Sequence, residues 1–157
     1  MNTDVFALRN VDYSEKGMEL EIVVEGESRL QTVIYSALDY SGEKWYYTQE
    51  GHQYILDARS RRGRQRFMKG YLDKIPVIVR QPIIVGQDVD QPQNLFYYGA
   101  IAIEEHGFKR ELLAVVMKKS NVNVIWDLYW VEKNKVPRKV AVLYQTKGVG
   151  RYLRGRW

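Results

Sequence analysis

The chain has 157 residues, of which 45% are hydrophobic and 27% are charged, a composition typical of one ordinary globular domain. Cysteine is absent, and only two histidines occur, His52 and His106. These counts exclude disulfides, thiolate chemistry, and metal centres built on cysteine or on several histidines. The sequence has neither a secretory signal nor an apolar run of membrane-spanning length, about 20 residues. We therefore expect a cytoplasmic domain that uses no cofactor or metal and binds no membrane.

Charge is distributed unevenly along the chain, although the net formal charge is only +5. Residues 1–50 carry 4 basic and 10 acidic side chains, whereas residues 51–80 carry 8 basic and 2 acidic ones. Arginine dominates the basic segments, and its guanidinium binds phosphate oxygens in a bidentate manner. This asymmetry favours a polyanionic partner, RNA or another nucleic acid. The residues that we expect to contact it are Arg61, Arg62, Arg64, Arg66, Lys69, Arg151 and Arg154.

The first 50 residues form an acidic part in which the patterns predict both strand and helix. Residues 18–25 alternate apolar and acidic side chains, which is the period of a half-buried strand. In residues 30–38 the apolar positions recur with helical spacing, while Ser28 is suited to cap a helix and Gly42 to end one. We therefore predict a helix there, with a strand as the alternative, and a short extended segment at residues 44–49.

A basic helical segment is predicted over residues 51–82, interrupted near Gly63 and Gly70. Pro76 fits the first turn of its last helix, where a missing N–H is tolerated, and Pro82 follows the end of that helix. Apolar residues recur along this last helix at the spacing of one buried face. They are Leu72, Ile75, Ile78 and Val79.

The chain from residue 83 to residue 145 has the turn residues and β-rich runs of an antiparallel meander, followed by a basic tail at residues 146–157. Strands are predicted near residues 83–86, 95–103, 112–118, 122–131 and 140–144, with a hairpin turn at residues 119–121. Helices that precede a run of strands indicate an α+β fold, here with helices packed on one face of a curved antiparallel β-sheet. Because no linker divides the sequence, we predict a single domain over residues 1–157.

His52 is the candidate acid or base, because an imidazole titrates near neutral pH. Arg59 falls on the same helix face, since positions seven residues apart stack two turns along a helix. Metal-free RNA cleavage needs a base for the 2′-hydroxyl, an acid for the departing 5′-oxygen, and cations for the phosphorane. Lys118 can supply charge, and a tyrosine can supply the second proton, with Tyr97, Tyr98 and Tyr129 as candidates. The predicted catalytic set is His52, Arg59, Lys118 and Tyr129.

Several stretches resemble a known nuclease family. They are His52-x-x-Ile55-x-x-x-Arg59, the run YLDKIPVIVRQPIIVGQD at residues 71–88, LFYY at 95–98, LAVVMK at 113–118 and VIWDLY at 124–129. Together they resemble the phage-associated nuclease domains of the barnase–EndoU–colicin–RelE-like superfamily over about residues 50–145. The resemblance implies a helix-borne histidine at His52, an accompanying arginine at Arg59 and a strand-borne basic residue at Lys118. Asp127 departs from the family pattern, because many members have serine or threonine there.

The sequence thus favours a metal-independent ribonuclease, of a mobile-element or toxin type, and two other functions fit the same features. A non-catalytic nucleic-acid-binding module would use the basic clusters and stack bases on aromatic rings. A protein-interaction domain, such as an antitoxin or a phage assembly component, would use the acidic first 50 residues to bind a basic partner or an inhibitor protein. Motifs for nucleotide triphosphates, dinucleotides, zinc proteases and serine hydrolases are absent from the sequence.

Overall fold

The computed structural model describes residues 11–59, 70–103, 109–131 and 140–146. Within these ranges the chain forms nine strands and two α-helices, and most described residues lie in strands. The strands are β1 Val11–Asp12, β2 Glu19–Val24, β3 Glu27–Leu38, β4 Lys44–Thr48, β5 Ile84–Asp88, β6 Asn94–Ile103, β7 Lys109–Lys119, β8 Asn123–Trp130 and β9 Val140–Gln145. The helices are α1 Gln49–Arg59 and α2 Ile75–Arg80.

The strands form one open sheet in the order β1-β3-β4-β8-β7-β6-β5-β9, with β2 paired to β3. The strands β5, β6, β7 and β8 form the predicted antiparallel meander, and the hairpin turn between β7 and β8 falls at residues 120–122. Two pairings join distant parts of the chain: β9 returns to pair with β5, and β4 meets β8 in a parallel contact through Tyr46 and Val124. The sheet is therefore mixed, and the prediction of a wholly antiparallel sheet was wrong.

Residues 30–38, predicted as a helix, instead form most of strand β3, so the helix prediction there was wrong. Glu25 and Gly26 both have positive φ, at 54° and 80°, and make the two-residue turn that joins β2 to β3. Turns of this kind match the twist of a hairpin and hold its two strands in register. Ser28, which the helix prediction placed at a cap, pairs with Val23 in the hairpin ladder. Pairing with β2, β1 and β4 therefore outweighs the helical spacing of the apolar residues.

Helix α1 begins directly after β4 because Thr48 caps it. The Thr48 hydroxyl oxygen accepts a hydrogen bond from the backbone N–H of Gly51 at 3.0 Å, which satisfies one of the unpaired donors at the start of the helix. The same hydroxyl donates to Gln31 Oε1 on β3 at 2.7 Å, and so ties the helix start to the sheet. The predicted helical segment is thus confirmed at both of its described ends, as α1 and α2.

Helix α2 agrees with the prediction for its proline and for its buried face. Pro76 lies in the first turn, and Ile75, Ile78 and Val79 are buried. The helix stops after Arg80, whose guanidinium donates to the backbone oxygen of Asp39 at 2.8 Å. This contact anchors the end of α2 to the loop after β3.

Two clusters of buried side chains lie on the strands of the sheet. The larger cluster contains Ile55 of α1 and the buried face of α2, together with Tyr47, Met117 and Leu128 from the strands. The smaller cluster contains Ile84, Tyr98, Leu112, Ala114 and Val131, with Tyr129 packed against it. An α+β fold rich in strands is therefore confirmed, whereas the packing of all helices on one face stays a prediction. No helix within the described ranges is long and apolar enough to cross a membrane.

Candidate functional site

The start of α1 is held tightly against strand β8, and this contact places His52 in the first turn of the helix. A Cβ atom on Gly51 would lie only 2.8 Å from the backbone oxygen of Ile125, so the helix approaches β8 more closely than a side chain would permit. Ile55, one turn further on, is completely buried in the larger cluster. His52 itself is partly exposed, with its ring oriented by the strand that precedes it.

The hydrogen bond between His52 and Tyr47 is the contact that best defines the site. His52 Nδ1 lies 2.7 Å from the Tyr47 hydroxyl, and the two rings meet edge to face with their centroids 5.7 Å apart. Burial raises the pKa of Tyr47 above its ordinary value of 10.0, so the phenol keeps its proton near neutral pH. In the tautomer that proton abstraction requires, Nδ1–H of the neutral imidazole donates to the phenol oxygen, and Nε2 is left unprotonated and able to take a proton.

Tyr47 is itself held by a row of stacked aromatic rings. Its ring stacks on Tyr35 with centroids 5.1 Å apart, and Tyr35 meets Trp45 and Tyr13 edge to face at 5.7 and 5.9 Å. Aromatic pairs at these separations attract one another beyond the effect of burial alone. The sequence does contain a signal for Tyr47, which the prediction did not use. Tyr47 is a tyrosine on a predicted extended segment, five residues before His52.

Arg59 ends α1, seven residues after His52, and its backbone position therefore lies on the same side of the helix. Its assignment as a catalytic cation stays a prediction that rests on this backbone position. The seven residues predicted to bind nucleic acid lie outside the described ranges. They are Arg61, Arg62, Arg64, Arg66, Lys69, Arg151 and Arg154.

Lys118 and Tyr129 lie on a different face of the sheet from the Tyr47–His52 pair. Tyr47 belongs to the larger core cluster, as does Met117, and Lys118 follows Met117 and so points to the opposite face of β7. Tyr129 pairs with Ala114, whose cluster is the smaller one. The structure thus brings His52 together with Tyr47, and it places Lys118 and Tyr129 on the other face.

Lys118 is a largely buried cation that stacks on Trp126. Its Nζ lies 4.6 Å from the centre of the Trp126 ring and 3.9 Å from a carboxylate oxygen of Glu25, and its side chain is 11% exposed. Trp126 is the extra residue of a β-bulge, because Val116 pairs with Asp127 and Met117 pairs with Ile125. Bulges change the direction of a side chain, and here the bulge turns the Trp126 ring towards α1.

Asp127 is buried on the same strand, where the resemblance to the nuclease family would place serine or threonine. Its carboxylate accepts a hydrogen bond at 2.8 Å from the backbone N–H of Leu128, and only 9% of the residue is exposed. Val116, which pairs with Asp127, shares a face of β7 with Lys118. Asp127 therefore lies on the face of Lys118 and Tyr129 rather than on that of His52.

A cavity of about 310 Å³ opens between the β2–β3 hairpin, the first turns of α1 and Trp126. The rings of Tyr54 and Trp126 lie 6.0 Å apart in its wall. Its lining residues are Val24, Glu25, Glu27, Arg29, Leu30, Gln31, Glu50, Gly51, Tyr54 and Trp126. Tyr54 and Trp126 carry no sequence signal for this site, since their meeting depends on the packing of α1 against β8.

The chemistry available at His52 is proton transfer, with no protein metal site beside it in the described ranges. No group of three or more histidine, aspartate or glutamate side chains there is placed to hold a metal ion. A partly exposed imidazole with one nitrogen bonded to a buried phenol can accept or donate a proton through its other nitrogen. No protein-family model, no curated protein and no solved structure matches this chain.

Proposed function

We propose that this protein is a metal-independent ribonuclease, of a mobile-element or toxin type, that acts on RNA in the cytoplasm. The observation that carries the proposal is the hydrogen bond between His52 Nδ1 and the buried Tyr47 hydroxyl, 2.7 Å long. A buried partner holds the imidazole in one orientation and one tautomer, which is what a general base requires. The resemblance to phage-associated nucleases, with His52 and Arg59 at matching positions, supports the same function.

The reaction begins with His52, whose imidazole takes the proton of the RNA 2′-hydroxyl. The 2′-oxygen attacks the phosphorus, the bond from phosphorus to the 5′-oxygen breaks, and a 2′,3′-cyclic phosphate forms. The leaving 5′-oxygen takes a proton from water, and the imidazolium returns its proton to the solvent. Arg59 stabilises the charge that develops on the phosphorane. Tyr47 is a positioning residue, since it acts on the reaction only through His52.

Lys118 and Tyr129 have a different role in this proposal from that of His52. Because Lys118 and Tyr129 lie on the other face of the sheet, we do not assign them a direct contact with the phosphate on which His52 acts. The Arg-rich segments bind the RNA backbone, which makes the affinity depend on salt. The net charge of +5 agrees with a polyanionic substrate.

The test is cleavage of a fluorescent RNA oligonucleotide by the purified full chain in the presence of EDTA. We expect cyclic-phosphate products from the wild-type protein and a loss of at least about a hundredfold in His52→Ala, which is the usual scale for a general base. His106→Ala is the matched control, because it removes the other histidine and should keep full activity. An RNA with 2′-deoxyribose at the scissile nucleotide should resist cleavage, since it lacks the attacking hydroxyl.

Two results would contradict the proposal. The first is intact RNA with the wild-type chain, even where the RNA is bound, since binding without cleavage is what a non-catalytic module predicts. The second is equal cleavage by wild type and His52→Ala. Salt-dependent binding that is lost when Arg61, Arg62 and Arg64 are neutralised but survives His52→Ala would, without cleavage, favour the binding module.

A further inference from the structure

The β2–β3 hairpin stands over the start of α1 and forms the roof of the 310 Å³ cavity. Val24 pairs with Glu27, and Ile22 pairs with Arg29, so these side chains share one face of the hairpin. Glu27 and Arg29 line the cavity from this face. The floor is made by Glu50, Gly51 and Tyr54 of α1 and by Trp126 of β8. The cavity thus lies between three elements, and neither His52 nor Tyr47 lines it.

We propose that this cavity, which we call the hairpin cleft, binds an arginine or lysine side chain of a partner protein. The inference is independent of the proposed ribonuclease activity. It gives a role to three of the ten acidic residues in the first 50, which the nuclease proposal does not use. The recognition rests on charge, on two aromatic rings and on the amide of Gln31.

The charge of the hairpin cleft is negative, although the chain as a whole is positive. Its lining includes three carboxylates and one guanidinium, and one of the carboxylates, Glu25, also lies 3.9 Å from Lys118 Nζ, which leaves a negative excess. Glu27 pairs with Arg29 at 2.8 Å, and both side chains are about two-thirds exposed, so this pair is accessible to exchange with a second cation. Glu50 accepts the backbone N–H of Thr32 at 2.8 Å through one oxygen, and its other oxygen retains its lone pairs. A cationic ligand matches this lining, whereas a phosphate group would be repelled by it.

The aromatic wall of the hairpin cleft is suited to the same ligand. Cations are attracted to the faces of tryptophan and tyrosine rings within about 6 Å. Trp126 already holds the ammonium of Lys118 at 4.6 Å, and its ring lies 6.0 Å from that of Tyr54. Tyr54 is 46% exposed at the rim, beside Leu30 at 63%, so the apolar stem of a long basic side chain has surface to cover.

Gln31 adds a buried amide to the wall. It is only 6% exposed and lines the hairpin cleft, and its Oε1 accepts the hydroxyl proton of Thr48 at 2.7 Å. Within the described part of the chain its Nε2 makes no hydrogen bond. Since Nε2 is not among the buried polar atoms that lack a partner in the described residues, it is accessible and suited to donate to a carbonyl oxygen of a bound peptide. A polypeptide offers that acceptor next to its basic side chain.

The hairpin cleft keeps its shape because the hairpin is fastened to the turn after β7. The Asn121 side chain donates to the Glu21 backbone oxygen at 2.7 Å and accepts from the Val23 backbone N–H at 3.1 Å. The Ser120 hydroxyl donates to the Val23 backbone oxygen. These contacts hold the roof in place before any ligand arrives, which lowers the entropy cost of binding.

The test is fluorescence anisotropy of the full chain with the labelled hexapeptide Gly-Ala-Arg-Arg-Ala-Gly. We expect saturable binding that weakens at least about tenfold when neutral citrulline replaces both arginines, since each lost charge removes an ion pair and a cation–π contact. The double variant Glu27→Gln with Glu50→Gln, and separately Trp126→Leu, should each weaken binding by a similar factor. The glutamine at residue 50 retains an oxygen that can accept from Thr32, so the fold is preserved.

The matched control is Glu19→Gln, which removes one carboxylate from the same hairpin but outside the cleft lining. It should leave the affinity for the peptide unchanged. Equal binding of the citrulline peptide, or equal loss in Glu19→Gln and in the double variant, would overturn the proposal. A labelled RNA decamer whose binding is lost in Trp126→Leu would assign the cleft to nucleic acid and would overturn it as well. Cleavage of RNA is measured separately, so failure of one proposal is distinguishable from failure of the other.

Discussion

At the scale of single residues, the position of the His52 ring depends on one phenol. The Tyr47 hydroxyl is the hydrogen-bond partner of Nδ1, and the Tyr47 ring is packed between Tyr35 and the imidazole. Removing the hydroxyl while keeping the ring would leave the packing in place and release the imidazole to rotate. Such a change tests how the orientation of the imidazole affects catalysis, because the imidazole itself is still present.

We expect Tyr47→Phe to lower kcat for RNA cleavage about tenfold with little change in KM, because a hydrogen bond of about 1 to 1.5 kcal/mol is lost. The measurement is steady-state cleavage of the fluorescent RNA. Tyr13→Phe is the control, since Tyr13 belongs to the same aromatic row through Tyr35 but does not contact His52. Unchanged kcat in Tyr47→Phe would show that the hydrogen bond does not position the base.

At the scale of elements, the β2–β3 hairpin depends on contacts that are distant in sequence. Its own ladder pairs six residues on each strand, and Ile22 is completely buried. Two-stranded hairpins are marginal by themselves, so docking to the rest of the sheet is needed to keep this one ordered. The Asn121 side chain supplies that docking on the β2 side, where it takes the place of a neighbouring strand.

We expect Asn121→Ala to destabilise the hairpin by about 1 to 2 kcal/mol, since two hydrogen bonds are lost. The amides of β2 should exchange with solvent faster, while those of β6 and β7 keep their protection. Hydrogen exchange followed by NMR measures both groups at once. Asn123→Ala is the matched variant, because Asn123 donates to the Lys44 backbone oxygen instead and should leave β2 unaffected. Equal exchange of β2 in wild type and Asn121→Ala would contradict the docking role.

At the scale of the whole molecule, the interior is rich in tyrosines whose burial opposes ionisation. Burial raises the pKa of Tyr35, Tyr47, Tyr97 and Tyr98 above the ordinary value of 10.0, and for Tyr97 the nearby Asp39 carboxylate adds to the effect. The unfolded chain ionises these phenols near pH 10, whereas the folded chain keeps them neutral. Their contribution to stability is therefore fully present below pH 10 and is lost progressively above it.

We expect the free energy of unfolding to fall steeply between pH 10 and 11, by up to about 1.4 kcal/mol per pH unit for each of these tyrosines. Urea denaturation at a series of pH values measures the slope. Tyr98→Phe should reduce it, and should raise stability at neutral pH, because the Tyr98 hydroxyl is buried without a hydrogen-bond partner among the described residues. A flat profile up to pH 11 would contradict this account.

Local patterns in the sequence were sufficient for the meander and for both helices. The runs that became β5 to β8 carry β-branched and aromatic residues bounded by turn residues, and these preferences act within a few residues. Pro76 and the stripe of Ile75, Ile78 and Val79 likewise marked α2, because proline geometry and helical spacing are local. At residues 30–38 the helical spacing of the apolar residues predicted the wrong element, because the strand there is stabilised by partner strands on both sides.

By itself the sequence determined the α+β class, most of the strands and the choice of His52 as the candidate base, since each depends on residues close together along the chain. Only the tertiary structure decided which side chains meet. The alternation of β7 puts Lys118 on the opposite face from Met117 and the Tyr47 cluster, and the bulge at Trp126 turns that ring towards α1. Contacts between distant segments follow from strand order and register, and neither of these can be deduced from residues that are neighbours in the sequence.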